Sequence, residues 1–202
     1  MDDARGRAMV LEELAEDIFG GVNVDRLLDD PSQPPRAVIA VGDIVDGALV
    51  PAEGMAKTRG RFEGRSAHHP LREGDVVVST RGTLLKTAVV GTAHVGAVAS
   101  CNLAVVRPNG VLEPTLIAAA LRSDGTRRRL LQEATGGNVP GLYIATLKQA
   151  RIRVPPKDVQ AALARLHEAS DREYALATRI ARERRDAALQ TVFSVITEGE
   201  GL

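Results

Sequence analysis

The sequence contains no tryptophan, and only two tyrosines and three phenylalanines in 202 residues. A core must therefore be assembled from Val, Leu, Ile and Ala. The same scarcity argues against single-strand nucleic-acid binding by base stacking, which uses several aromatic platforms. One cysteine, Cys101, excludes an internal disulfide and a multi-cysteine zinc site. A reducing compartment is the simplest home for such a chain, which predicts a cytoplasmic protein. No apolar run approaches the ~20 residues needed to cross a bilayer, so no membrane is expected as a partner. Asp2 and Asp3, ahead of the first apolar run, argue against a secretory leader.

Catalytic patterns are missing too. A Gly-rich phosphate loop with Lys-Ser/Thr is absent, and GTAHVG (91–96) does not supply one. The sequence has no GxSxG elbow, no HExxH and no HxE…PCxxC. The Asn/Asp-Pro-Pro-aromatic run of amino-methyltransferases is also lacking. These absences predict a protein that is not an enzyme, with no cofactor and no metal.

What is present is ordinary in amount and unusual in order. Apolar residues make up 44% and charged residues 26%, enough for one domain with a sizeable core and one extra element. The formal net charge is zero, but residues 1–56 carry twelve acids against four bases, and residues 57–153 carry fifteen bases against six acids. Charge so segregated predicts a basic face and a separate acidic one; the alternative is that folding mixes the two.

Spacing of Val10, Leu11, Leu14 and Ile18 predicts a helix over 8–19, stopped by Gly20–Gly21. A Pro-rich loop (29–36) leads to a short strand and a turn at Asp46–Gly47. Residues 52–70 read as a long polar surface loop, a length that in compact domains usually serves a function. Strands are expected over 75–80, 84–90, 97–101 and 103–107. Two helices follow, 114–122 with Pro114 at its first position and one carrying Arg127–Arg128–Arg129. Residues 138–147 read as a loop into a short strand or turn, and 150–154 as a last strand before Pro155–Pro156. From Asp158 to Ile196 neither Gly nor Pro interrupts the chain. A helix of about 38 residues is roughly 57 Å long, too long to bury on a domain this size. It should project and pair through a thin stripe that includes Val159, Leu163, Leu166, Leu176 and Ile180.

The order of motifs resembles a known family. VLEELAEDIFGG (10–21), LREGDVVVSTRGTLLKTAVV (71–90), SCNLAVVRP (100–108), LRS (121–123), GGNVPGL (136–142), IRVPP (152–156) and a helix opening near Gln160 follow one another. This series is similar to the DNA specificity (S) subunits of type I restriction-modification systems, phage-defence assemblies. Tyr143 departs from it, standing where the family more often has a small polar residue. The resemblance implies an α+β fold: a target-recognition domain with a twisted mixed sheet and short helices (1–156). One long coiled-coil-type helix (157–198) and a disordered tail (199–202) complete the expected organisation. It further implies double-stranded DNA as partner, together with a DNA methyltransferase (M) subunit and, in the larger assembly, a restriction (R) subunit. Family members usually have two domains and two antiparallel helices, whereas this sequence shows one of each. A half-subunit that homodimerises or pairs with a second specificity chain is the expectation. A protein that kept the fold as an assembly scaffold, without reading DNA, is the alternative.

DNA reading needs cations for phosphates and Arg, Asn or Gln at base edges. Lys57, Arg59, Arg61 and Arg65 in the polar loop are the first candidates for base contact. Arg81 in the turn after the 75–80 strand, Lys86 on the next strand and Asn138 in GGNVPGL complete the set. Arg81 has an alternative as a turn residue paired with Asp75 or Glu73. His68 and His69 and the Arg127–Arg129 run read as surface groups first.

Overall fold

The computed structural model describes residues 6–63, 66–81, 85–132 and 142–197. Strand β1 (Arg7–Val10) leads into a 3-10 turn, Leu11–Leu14, and then β2 (Ala15–Gly20). The helix expected over 8–19 is thus two strands about a single turn. The spacing that suggested a helix survives only within the turn, where Leu11 and Leu14, three apart, are both fully buried. On either side, pairing with distant strands prevails over helical propensity.

After β2 come β3 (Arg36–Ile39), the hairpin β4 (Ile44–Val45) and β5 (Ala48–Leu49), and β6 (Ala56–Thr58). Then follow β7 (Val76–Ser79), β8 (Thr87–Val89), β9 (Val98–Ala99) and β10 (Leu103–Pro108). The β4–β5 turn holds Asp46 and Gly47 at φ 50° and 83°. Two successive left-handed residues are what a tight hairpin of this twist demands, and Asp-Gly supplies them cheaply.

A four-stranded sheet in the order β2-β10-β7-β8 divides the domain. All its pairings are antiparallel, with Val105 opposite both Phe19 and Val77. Side chains along a strand alternate between faces. Ile18, Val76, Val78, Ala104 and Val106 therefore enter one core, and Phe19, Val77, Leu103 and Val105 the other. Because both faces are covered, β7 and β10 read as continuous apolar runs.

The first core is closed by helix α1 (Pro114–Arg122), the short helix α3 (Ile144–Lys148) and strand β11 (Arg151–Val154). β11 pairs antiparallel with β1. Pro114 occupies the first turn of α1, and Ile117, Ala118 and Leu121 form its buried face. Helix α2 (Asp124–Gln132) follows α1, and α3 replaces the strand or turn expected before residue 147. The second core is roofed by a smaller sheet, β6-β3-β9, in which β3 and β9 run parallel. Helix α4 (Lys157–Thr197) runs 41 residues from the end of β11. The architecture is α+β with a long C-terminal helix.

One ion pair is buried in the central sheet. Arg107 on β10 and Asp75 just before β7 are 6% and 1% exposed in their side chains. Arg107 donates from Nε to Asp75 Oδ1 (2.9 Å) and from Nη2 to Oδ2 (2.8 Å). Breaking a buried pair from one side leaves an uncompensated charge and costs about 3–5 kcal/mol. Arg107→Met should lower unfolding free energy by about that amount in a denaturant titration. A loss within the range of ordinary surface substitutions, about 0.5 kcal/mol, contradicts this placement.

Candidate nucleic-acid interface

The expected long polar loop is partly built. β6 pairs antiparallel with β3, so Lys57 sits opposite Ala37 with its side chain exposed. Beyond β6 the chain is stapled to the acidic 29–33 segment by an isolated bridge between Asp29 and Gly60. Gly60 packs closely there, and a Cβ would press on the side chain of Leu27. Arg59 Nη1 donates to the carbonyls of Pro31 and Gln33, both at 3.3 Å. Arg61 donates to Asp30 Oδ2 from Nε (3.1 Å) and Nη2 (2.8 Å). Hydrogen bonds from Ser32 and then from Arg61 hold the Asp30 carboxyl below its ordinary pKa. Arg59 and Arg61 therefore lie together, and both brace this loop. Arg65 lies outside the described residues.

The end of the same loop carries a ring cluster. His68 and His69 stack at 4.5 Å, and both meet the edge or face of Phe19, at 4.6 and 5.4 Å. Phe62 approaches His69 from the loop at 6.4 Å. Arg107 lies over the Phe19 ring and donates to the carbonyls of His68 and Pro70. The histidine pair is thus packed against the sheet instead of lying loose on the surface.

The remaining candidates are scattered. Lys86 donates from Nζ to the carbonyls of Val41 (3.3 Å) and Ile44 (2.9 Å), fastening the segment before β4. Arg81, just after β7, is exposed. Asp75 is taken by Arg107, and no ion pair of Arg81 with Asp75 or Glu73 exists among the described residues. In the arginine run, Arg127 pairs with Asp124, while Arg128 and Arg129 are exposed. Asn138 lies outside the described residues, and Tyr143, just before α3, is 61% exposed. Ion pairs Arg61–Asp30, Arg72–Glu16 and Lys148–Glu12 each join the acidic first quarter to the basic middle. Folding thus mixes part of the charge that the sequence keeps apart. Among the described residues no three His, Cys, Asp or Glu side chains gather as metal ligands, and no helix is long and apolar enough to cross a membrane.

Helix α4 meets the domain through polar side chains, which sequence reasoning did not assign. Gln160, 2% exposed, accepts from the Glu113 amide (3.3 Å) and donates to the carbonyls of Val111 and Pro155 (3.1 Å each). Arg122 at the end of α1 donates to Asp171 Oδ2 (2.6 Å) and lies 2.8 Å from His167 Nε2. The expected stripe lies elsewhere on the helix. Val159 and Leu163 are 40% exposed, Leu166 68%, Leu176 51% and Ile180 46%, uncovered by the chain's own domain.

Nearly the whole of this fold is shared with solved structures. An HsdS subunit from Thermoanaerobacter tengcongensis superposes with a TM-score of 0.65 at 20% identity, over 92% of this chain and 47% of that one. A chain from a study of complex assembly and conformational transition in a type I R-M system gives 0.67 at 20%, over 95% and 49%. The type I restriction-modification S subunit of M. genitalium gives 0.56 at 17%, over 96% and 47%. The fold is that of a type I specificity subunit. The chain spans about half the length of these proteins. No family model matches the sequence, and no curated protein matches it.

Burial, and then the neighbouring His68, hold the pKa of His69 below its ordinary value. A histidine whose folded pKa is lowered adds stability that is complete above the unfolded value, about 6.5, and is lost as pH falls from there through the folded value. The thermal midpoint should fall between pH 7.5 and 5.5, and His69→Gln should flatten that slope. An equal slope in the variant places the titration elsewhere.

Proposed function

We propose that this chain is the DNA-reading component of a type I restriction-modification assembly: one recognition domain with the helix that carries it, and no catalysis of its own. The observation that supports this most is the shared fold over more than nine-tenths of the chain, ending in a helix whose apolar stripe is bare. In this reading the domain contacts one half of a split double-stranded site. α4 pairs with a like unit, identical or different, and docks the methyltransferase subunit, to which the restriction subunit is added.

Within that reading the cations divide by availability. Lys57 and Arg81 are exposed and make no ion pair among the described residues, so they are the first choices for phosphate contact. Arg59 and Arg61 shape the loop that presents Lys57, and can reach DNA only by exchanging their present partners. Lys86 supports the fold from within. Arg65 remains a proposed base contact, and Asn138 a proposed groove or phosphate contact, on the strength of their sequence positions.

Duplex binding should fall steeply with salt, and removing one phosphate-contacting lysine or arginine should reduce the logarithmic salt slope by about one. Lys57→Ala and Arg81→Ala, measured by fluorescence anisotropy between low and physiological salt, should each do so. A parent protein that binds no duplex, with or without the methyltransferase subunit, leaves the scaffold reading in its place. Light scattering of the chain should give a dimer, or a stable complex once the methyltransferase subunit is added. Leu166→Glu with Ile180→Glu should abolish that association. An association untouched by the double variant overturns the role given to the stripe.

A further inference from the structure

The contact between domain and α4 is held at its base, by an exposed Thr115 Oγ1–Glu168 hydrogen bond (3.2 Å) partway along, and at Arg122, with open space between its walls. At the base, fully buried Gln160 bolts the first turn to the segments before α1 and after β11. About three turns further on, Arg122 spans from α1 to Asp171 and His167. Two clefts, of about 540 and 520 Å³, flank that span, and both are lined by Gly47, Arg122 and Asp171. No buried apolar side chain of α4 fills either one. Behind Arg122 stands the β4–β5 turn, where a Cβ on Gly47 would fall onto the guanidinium. The side chain is therefore seated between the hairpin tip and the helix, with a partner on one side and backbone on the other.

We propose that Arg122 is a positioning residue that sets the angle at which α4 leaves the recognition domain, and through it the spacing between two paired domains on DNA. The spacing half of this rests on the function proposed above; the angle half does not. A bolt at the base fixes where the helix begins but resists rotation poorly, since its hydrogen bonds lie within one turn. Arg122 acts further along the lever and, with one charge-assisted contact, resists swing in both directions. The lever magnifies small changes. From Gln160 to Leu189 is about 43 Å of helix, so a swing of about 10° moves the far end about 7 Å, or about two base-pair steps of 3.4 Å.

The test is a distance measurement within one chain. Spin labels at Leu28→Cys on the domain and Leu189→Cys on the helix, both exposed positions, are read in a Cys101→Ser background. Dilution with unlabelled chain removes distances between copies. The parent should give one narrow distribution. Arg122→Met, and Asp171→Asn as a milder variant that leaves α1 intact, should move its centre by several ångströms or broaden it; Arg122→Lys should do so less. Unchanged distributions in both Arg122→Met and Asp171→Asn overturn the positioning role. In duplexes with two half-sites separated by graded spacers, the parent should prefer one length and Arg122→Met should shift or widen that preference by about two base pairs. An altered distance with an unaltered spacer preference overturns the spacing half alone. A parent that binds no duplex overturns the function proposed above, and the label distances still decide the angle.

Discussion

Much of the shape of the domain depends on a single buried ion pair. Arg107 comes from near the end of β10 and Asp75 from just before β7, and their two hydrogen bonds tie the two segments together where the ladder ends. The same carboxylate accepts from the Arg72 amide, and the same guanidinium reaches the carbonyls of His68 and Pro70. Desolvating both charges is costly, and only this complete set of partners makes the burial tolerable. The consequence is a loop whose far end is clamped to the sheet, with two histidines laid against Phe19. Its near end is clamped by Arg59 and Arg61 to the acidic segment after Leu28. A segment that composition marks as polar is thereby held at both of its ends.

The second constraint lies in how α4 is attached. Had the helix docked through its leucines, the apolar stripe would be spent on its own domain. Instead the domain side is polar, with Gln160, His167 and Asp171, and Leu166, Leu176 and Ile180 remain available about a quarter turn or more away. The two faces of the helix are thus separate, one bonded to the domain and one exposed. The polar attachment is also directional, because hydrogen bonds constrain angle where apolar packing tolerates sliding.

Charge follows the same economy. The acidic first quarter is partly paired with the basic middle: Asp30, Glu16 and Glu12 each take a cation from it. Pairs so exposed add little stability, but they engage cations that would otherwise face only solvent. Lys57 and Arg81 stay free of such pairs among the described residues, while Lys86 is turned inward to backbone carbonyls.

Much of this was legible in the sequence. The valine run of β7, the LAVVRP strand, Pro114 at the head of α1 and the unbroken stretch after Pro156 each carry a local pattern that one geometry satisfies. The order of these motifs pointed to the specificity-subunit fold. Three things were decided only by tertiary structure. Residues 8–19 have helical spacing yet form strands, because pairing with β10 and β11 outweighs a propensity worth tenths of a kcal/mol per residue. The fates of Arg59, Arg61 and Lys86 depend on segments some 26 to 45 residues away, brought within reach by strand register. Gln160 and Arg122 look like surface residues in any window, and the helix–domain contact alone makes them bolt and strut. Periodicity reports which face of an element is buried. It carries no information about what lies across from a long polar side chain, because that is set by the packing of whole elements against one another.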